Sequence, residues 1–311
     1  MTYNVEGLPW PVRWGRDAQA AKIGASLGRL RERGTQPHVI VLQEAFTPAA
    51  KAIAIQAGYR YIADGPGRDA RGEPASSPQD RQFVADASLL LGETQGKWAD
   101  SGLRIASDYP ILRVSRMAFP EYACAGLDCL ANKGILAVTL AVPGTAAPIV
   151  IVATHLNSRK ASGASHARSF YAYRRQIDAV GTFIRANVPI AWPMVFAGDF
   201  NAGQRIDRRS YLIRNAASWR PQAGLSVALD TCLAARDCRK DGKADIIASY
   251  RHGRDWQFYS PGRFAGLQVA TLSAPFGHDR SGAMLSDHIG YVAAYRIRPL
   301  RTALPVRLAT R

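Results

Sequence analysis

The sequence predicts a layered α/β protein, and three apolar segments are the main reason for that prediction. Residues 38–42, 149–154 and 193–198 are nearly continuous runs of aliphatic and β-branched side chains. Runs of this kind are typical of strands that are covered on both faces. Segments with helical spacing lie between these runs, which is the alternation expected of an α/β architecture.

Each of the three strands ends at a polar residue. Glu44 follows the first strand, His155 the second and Asp199 the third. Because ligands of layered α/β proteins gather at strand ends, this pattern predicts one shared site.

The intervening segments give further elements. Apolar residues at three- and four-residue spacing predict helices over 16–33 and 166–186. Two shorter apolar runs, 134–142 and 245–250, predict additional strands. Residues 65–82 are rich in Gly, Pro and Ser, which predicts a long polar loop.

The chain carries enough apolar material for a substantial core. It has 311 residues, 47% of them hydrophobic and 21% charged, and no run of about 18 apolar residues that would span a membrane. No internal repeat or linker divides it, so we expect a single domain over 1–311. Residues 296–311 contain five arginines and predict a strand end followed by a basic tail from about residue 300.

The charge balance is strongly basic, with 40 Lys and Arg against 24 Asp and Glu. Such a charge favours partners that bear phosphate, either nucleic acid or an anionic membrane surface. An arginine-rich composition is equally compatible with a solvated surface that binds neither.

The four cysteines form two close couples, Cys124 with Cys129 and Cys232 with Cys238. These spacings fit a zinc site poorly, whereas two local disulfides in an oxidising compartment fit better; free thiols are the alternative. We therefore expect a secreted or periplasmic protein, with a cytoplasmic location as the alternative. The sequence as given shows no signal peptide, so export would need an upstream leader.

Polar residues at strand ends are the candidates for chemistry. Amide and carboxylate oxygens suit Mg²⁺ or Mn²⁺, and histidines can bind phosphate or transfer protons. The only G-x-S-x-G match, Gly24-Ala25-Ser26-Leu27-Gly28, lies within the predicted helix 16–33 and not at a strand-to-helix turn, and no P-loop is present. The candidates are Asn4, Glu44, His155, Asn157, Asp199, Asn201, Asp245, Asp287 and His288.

Six segments in order along the chain resemble the motifs of the endonuclease/exonuclease/phosphatase superfamily, the metal-dependent phosphodiesterases related to DNase I. Any one segment alone is a weak signal, because each has a structural explanation as a cap or turn. The segments are Thr2-Tyr3-Asn4-Val5, Gln43-Glu44, Thr154-His155-Leu156-Asn157-Ser158, Gly198-Asp199-Phe200-Asn201, Asp245-Ile246-Ile247 and Ser286-Asp287-His288.

The resemblance implies a four-layer α/β/β/α sandwich with two packed mixed sheets. It also implies hydrolysis of a phosphodiester by metal-assisted attack of an in-line water. Glu44, with Asn4, would hold Mg²⁺ (or Mn²⁺), and Asp287 would belong to the same shell of ligands and hydrogen bonds.

The resemblance assigns the remaining residues to catalysis. Asp199 would position or deprotonate the water, and Asn201 would orient the water or the phosphate. His288 would contact the phosphate, with Asp245 fixing its tautomer. His155 would stabilise the transition state or assist the leaving group. Whether His288 or Asp199 is the general base stays open, and Asn157 is a candidate for substrate binding.

The segment Asp128-Cys129-Leu130-Ala131-Asn132-Lys133-Gly134 resembles one found in neutral sphingomyelinases, which favours a phospholipid headgroup as substrate and Lys133 as a substrate-binding residue. A simple turn entering the next strand is the alternative explanation. Peripheral membrane contact through the aromatic residues of 256–264 is an alternative to their packing within a strand. A sequence-unspecific nuclease and a non-catalytic phosphate-binding protein are the competing functions.

Overall fold

The computed structural model describes residues 1–8, 13–145 and 147–300, and its core is a pair of mixed β-sheets. The first sheet has seven strands, in the spatial order β10 (Arg239–Asp241), β12 (Ala265–Phe276), β13 (Gly290–Pro299), β1 (Thr2–Gly7), β2 (Val39–Ala45), β4 (Arg104–Ser107) and β3 (Tyr61–Asp64). The second has six, in the order β5 (Ile111–Ala118), β6 (Gly134–Leu140), β7 (Ile149–His155), β8 (Met194–Asp199), β11 (Asp255–Ser260) and β9 (Ser226–Val227).

Helices cover the outer faces of both sheets. Residues of the first two helices pack on β1 and β2, and those of the fourth and fifth pack on the second sheet. The helices are α1 (Arg16–Glu32), α2 (Pro48–Gln56), α3 (Pro78–Ala85), α4 (His166–Asn187), α5 (Ile206–Trp219), α6 (Ala228–Ala234) and α7 (Lys243–His252). The four-layer α/β/β/α sandwich is therefore confirmed.

Side chains of the central strands alternate between two cores. On β2, Ile40 and Leu42 face the helices, whereas Val41 faces the other sheet. On β7, Val152 packs under α4 and Ile151 lies between the sheets. Because both faces are covered, these strands are apolar at successive positions, which explains the continuous runs in the sequence.

Two predicted elements differ from the structure. Residues 245–250 form most of helix α7 and not a strand. Left-handed glycines flank this helix, Gly242 before it and Gly253 after it, and Ile246 and Ser249 are buried at helical spacing. The predicted loop 65–82 ends early, because Ser77 caps α3 by accepting a hydrogen bond from the Asp80 backbone N–H.

Both expected disulfides are present, Cys124–Cys129 and Cys232–Cys238. None of the described helices is long and apolar enough to cross a membrane. Most of the predicted basic tail, residues 301–311, lies outside the described residues.

Candidate active site

The carboxyl ends of four strands meet at one end of the sandwich. Strands β1 and β2 are parallel and bring Asn4 beside Glu44, and β7 and β8 are parallel and place His155 opposite Asp199. The amide nitrogen of Asn4 lies 2.9 Å from Glu44 Oε1 and 3.2 Å from Asp199 Oδ2, so it joins the two sheets. His155 Nε2 is 3.8 Å from Glu44 Oε1 and 3.6 Å from Asp199 Oδ2.

Two of the site residues have a left-handed backbone. Glu44 has φ 55° and Asn201 has φ 47°, a conformation that is uncommon for residues other than glycine. Each such residue costs about 1–3 kcal/mol and persists only where its surroundings hold it. At Asn201 the constraints are local: its backbone N–H donates to Asp199 Oδ1 at 2.9 Å and its side-chain amide to the Leu156 carbonyl at 2.9 Å.

His288 lies in the same cluster, but its carboxylate partner is Asp255. His288 Nδ1 is 2.8 Å from Asp255 Oδ2, and its Nε2 is 3.7 Å from Asp199 Oδ2. Asp255 is the first residue of β11 and stands opposite Asp199 in the antiparallel pair.

The prediction that Asp245 fixes the tautomer of His288 is therefore wrong. Asp245 lies on α7, where its carboxylate contacts His278 Nδ1 at 2.6 Å. In the sequence Asp255 directly precedes the aromatic residues of its strand and does not follow an apolar run, so the strand-end pattern does not mark it. Trp256, Phe258 and Tyr259 are all buried, so they do not form a membrane-inserting group.

Lys133 borders the cluster on the side of the second sheet. Its Nζ lies 3.2 Å from His155 Nε2, 3.1 Å from the Leu156 carbonyl and 3.1 Å from Asp128 Oδ2. The Asp128 carboxylate also accepts a hydrogen bond from the Ser158 backbone N–H. Lys133 is thus a buried cation aimed at the site, as well as the residue that leads into β6.

Asn157 differs from the expectation of substrate binding. The side chain is fully buried; its oxygen accepts from the Ala125 backbone N–H at 2.9 Å, and its nitrogen donates to the Ser158 carbonyl at 2.8 Å. Asn157 therefore holds two loops together. Asp287, in contrast, lies at the mouth, with 52% of its side chain exposed and Oδ1 3.9 Å from His288 Nε2.

Burial and neighbouring charges give these groups unusual proton affinities. Burial raises the pKa of Glu44 to about 7 and that of Asp199 to about 6. Burial alone would lower the pKa of His288, but Asp255 and Asp199 raise it to about 10. Burial, Lys133 and His288 hold the pKa of His155 well below its ordinary value. The site therefore pairs a neutral histidine with a charged one.

The donor set fits a divalent cation. Glu44 and Asp199 are carboxylates placed next to each other in a buried site, where a cation would compensate their charge. The oxygen of Asn4 accepts from the Glu6 backbone N–H at 3.0 Å and its nitrogen donates to Glu44, so Asn4 orients the Glu44 carboxylate. Potential metal-binding atoms of Asp199, Asp255 and His288 also lie within 4.8 Å of one another. In this group, however, His288 Nδ1 and Asp255 Oδ2 are already hydrogen-bonded to each other.

A family model for the endonuclease/exonuclease/phosphatase family matches residues 1–288. The chain belongs to this family. It is accordingly an enzyme of the metal-dependent phosphodiesterase class, as the resemblance predicted. A search of curated protein sequences finds no match.

Several solved structures share the fold. A beta toxin variant from Staphylococcus aureus with bound magnesium ions is 17% identical with a TM-score of 0.64, and 94% of this chain and 97% of that chain are covered. Sphingomyelinase C from Streptomyces griseocarneus is 23% identical with a TM-score of 0.61, over 94% and 97%. TDP2 from D. rerio, complexed with a single-strand DNA product, is 16% identical with a TM-score of 0.58, over 95% and 97%.

Proposed function

We propose that this enzyme hydrolyses the phosphodiester bond of a phospholipid headgroup, in a reaction that depends on Mg²⁺. The observation that carries the choice of substrate is the contact between Lys133 and His155, at 3.2 Å. The Asp-to-Lys-Gly segment that resembles neutral sphingomyelinases thus supplies a cation to the site and does more than make a turn. Asp128, at the start of that segment, holds the lysine in place.

In this proposal Asp199 is the general base and His288 is a hydrogen-bond donor. Because Asp255 keeps His288 protonated near neutral pH, its Nε2–H can donate to a phosphate oxygen but cannot accept a proton. The pKa of Asp199, about 6, is close to the range that suits proton transfer at neutral pH. Asn201 fixes the Asp199 carboxylate through its backbone N–H.

His155 and Lys133 act on the other side of the reacting phosphate. His155 is neutral and accepts a hydrogen bond from Lys133 at Nε2, so His155 would hold the positive charge of Lys133 near the oxygen that develops negative charge as it leaves. Glu44, oriented by Asn4, would hold Mg²⁺ with Asp287 at the mouth, and the bound ion would neutralise charge on the phosphoryl oxygens.

The relatives support two substrate classes. Sphingomyelinase C shares the fold at 23% identity, compared with 16% for TDP2, which favours the lipid. The DNA-bound TDP2 structure and the net charge of +16 favour a sequence-unspecific nuclease, our second candidate. The two disulfides, one of which closes the loop beside Lys133, favour secretion or a periplasmic location.

The test is a parallel assay with Mg²⁺ on sphingomyelin vesicles, phosphatidylcholine vesicles, plasmid DNA, RNA and bis-p-nitrophenyl phosphate. We expect release of phosphocholine from at least one lipid, and Asp199→Ala should reduce it by orders of magnitude without loss of folding. The matched control is Asp207→Ala, which changes an aspartate outside the cluster.

The outcomes separate the candidates. Cleavage of DNA or RNA without lipid hydrolysis would support the nuclease instead. Turnover of the small diester alone would contradict both substrates, and turnover that survives in Asp199→Ala would contradict the assignment of the base.

A further inference from the structure

Four large apolar side chains are exposed on two adjoining segments near the active site. Leu90 is 92% exposed, Trp98 65%, Leu89 62% and Leu127 49%. We call this group the apolar rim. Single exposed apolar residues are common on proteins, but a group of four on neighbouring segments is typical of an interaction surface.

Hydrogen bonds hold the two segments together. Glu93 Oε1 accepts from the Gly126 backbone N–H at 2.7 Å, and the Trp98 backbone N–H donates to the Leu130 carbonyl at 2.7 Å. The Cys124–Cys129 disulfide closes the turn that carries Leu127. These hydrogen bonds and the disulfide therefore fix the two segments that carry the rim relative to each other.

The rim borders the catalytic cluster through a short chain of contacts. Asp128, the residue after Leu127, lies 3.1 Å from Lys133, and Lys133 lies 3.2 Å from His155. A surface that contacts the rim would thus lie beside the mouth of the site.

Exposed cations flank the rim. The Leu127 backbone N–H donates to the Ser162 carbonyl at 2.8 Å, in the loop between β7 and α4. The same loop carries Arg159 and Lys160, which are exposed and make no ion pair with any residue that the structure describes. Apolar side chains beside free cations match a lipid bilayer with anionic headgroups.

We propose that the apolar rim, with Arg159 and Lys160, docks the enzyme on an anionic lipid surface. The leucines and Trp98 enter the boundary between headgroups and acyl chains while the cations contact the headgroups. This inference rests on the proposed phospholipid substrate and identifies the surface that delivers it. A nucleic acid is a poorer occupant, because three of the four rim residues are leucines, which neither stack on bases nor neutralise phosphates.

The test is sedimentation of the protein with vesicles of phosphatidylcholine, with and without phosphatidylglycerol, in EDTA so that no turnover occurs. We expect the wild-type protein to sediment with the anionic vesicles. The double variant Leu89→Ser/Leu90→Ser and the variant Trp98→Ala should bind at least about tenfold more weakly. The matched controls, Ile55→Ser and Leu112→Ser, change exposed residues outside the rim and should bind normally.

A second pair of variants tests the cations. Arg159→Glu/Lys160→Glu should reduce binding to anionic vesicles by about tenfold or more, with little effect on vesicles of phosphatidylcholine alone. All rim variants should hydrolyse bis-p-nitrophenyl phosphate at the wild-type rate, because the rim does not enter the catalytic cluster.

Two results would overturn the docking surface: a wild-type protein that does not sediment with the vesicles, or rim variants that sediment like the wild type. If vesicle binding is absent and the rim variants also lose DNA cleavage, the rim contacts nucleic acid instead. A failure of the proposed function is distinguishable, because it removes lipid hydrolysis and leaves the sedimentation result, measured without turnover, unchanged.

Discussion

Replacing Asp255 with asparagine tests whether His288 works as a cation. The substitution keeps the shape of the side chain and removes the negative charge that lies 2.8 Å from His288 Nδ1. Both side chains are buried, so solvent cannot replace the lost charge. We expect the pKa of His288 to fall from about 10 toward, or below, its ordinary value of 6.5.

The size of the effect follows from the protonated fraction. At about pH 8, a histidine with an ordinary pKa is charged only about 3% of the time, which alone lowers kcat/KM by about thirtyfold. Loss of orientation through Nδ1 adds about tenfold more, as for other buried partners that position a catalytic ring. We therefore expect kcat/KM of Asp255→Asn to fall by about 10²–10³-fold at pH 8, and the deficit to shrink as the pH is lowered toward 6.

The assay is hydrolysis of bis-p-nitrophenyl phosphate across that pH range, with circular dichroism to verify folding. Asp245→Asn is the matched control, because Asp245 holds the half-exposed His278 in a similar hydrogen bond outside the cluster. It should stay within about twofold of wild type. A wild-type rate in Asp255→Asn, or an equal loss in Asp245→Asn, would refute this reasoning. If the loss of kcat/KM in Asp255→Asn did not depend on pH, Asp255 would orient the His288 ring without keeping it protonated.

Three further predictions concern stability and metal. Glu93→Gln removes a buried carboxylate that accepts from the Ser88 and Gly126 backbone N–H groups and pairs with Arg168, so urea unfolding should show a loss of about 2–4 kcal/mol at neutral pH. Burial opposes ionisation of Glu93, but Arg168 and these N–H groups hold its pKa below the ordinary value. The ionised carboxylate therefore stabilises the fold fully at pH values above the ordinary pKa. The difference in unfolding free energy between wild type and Glu93→Gln should narrow as the pH falls through the lowered pKa. Arg208→Met removes donors to the carbonyls of both loops that carry site residues and should lower kcat about tenfold, measured on the small diester, whereas an unchanged kcat would show that the loops hold without it. Mg²⁺ should raise the Tm of the wild-type protein but not of Glu44→Gln, and an equal rise in both would place the ion elsewhere.

The layered fold and most of the cluster could be predicted from the sequence, largely because they depend on local patterns. A buried parallel strand is a continuous apolar run, and the polar residue that ends it marks the site, as at Glu44, His155 and Asp199. The failure at 245–250 is also local. Three apolar or β-branched neighbours resemble a strand until the flanking glycines, Gly242 and Gly253, are read as helix boundaries.

Asn157 could not be assigned from the sequence for a different reason. It lies between His155 and a loop, at a position where an amide could face either the substrate or the protein. The choice is made by the Ala125 backbone N–H, which comes from a distant loop and takes the amide oxygen. A side chain with two polar atoms satisfies whichever partners the tertiary structure brings, and spacing along the chain does not reveal them.

The direction of each strand explains which catalytic residues can be found by inspecting the ends of apolar runs alone. A parallel strand that runs toward the site brings its last residues there, so β2, β7 and β8 contribute residues at or next to their carboxyl ends, and β1 contributes Asn4 from its middle. An antiparallel neighbour runs the other way and must contribute the residue at its beginning. Lys133 comes just before β6, Asp255 opens β11, and His288 comes shortly before β13, and each of these strands is antiparallel to one of the four. A search for polar residues only after apolar runs therefore finds Asp199 and overlooks Asp255, although the two stand opposite each other in the sheet.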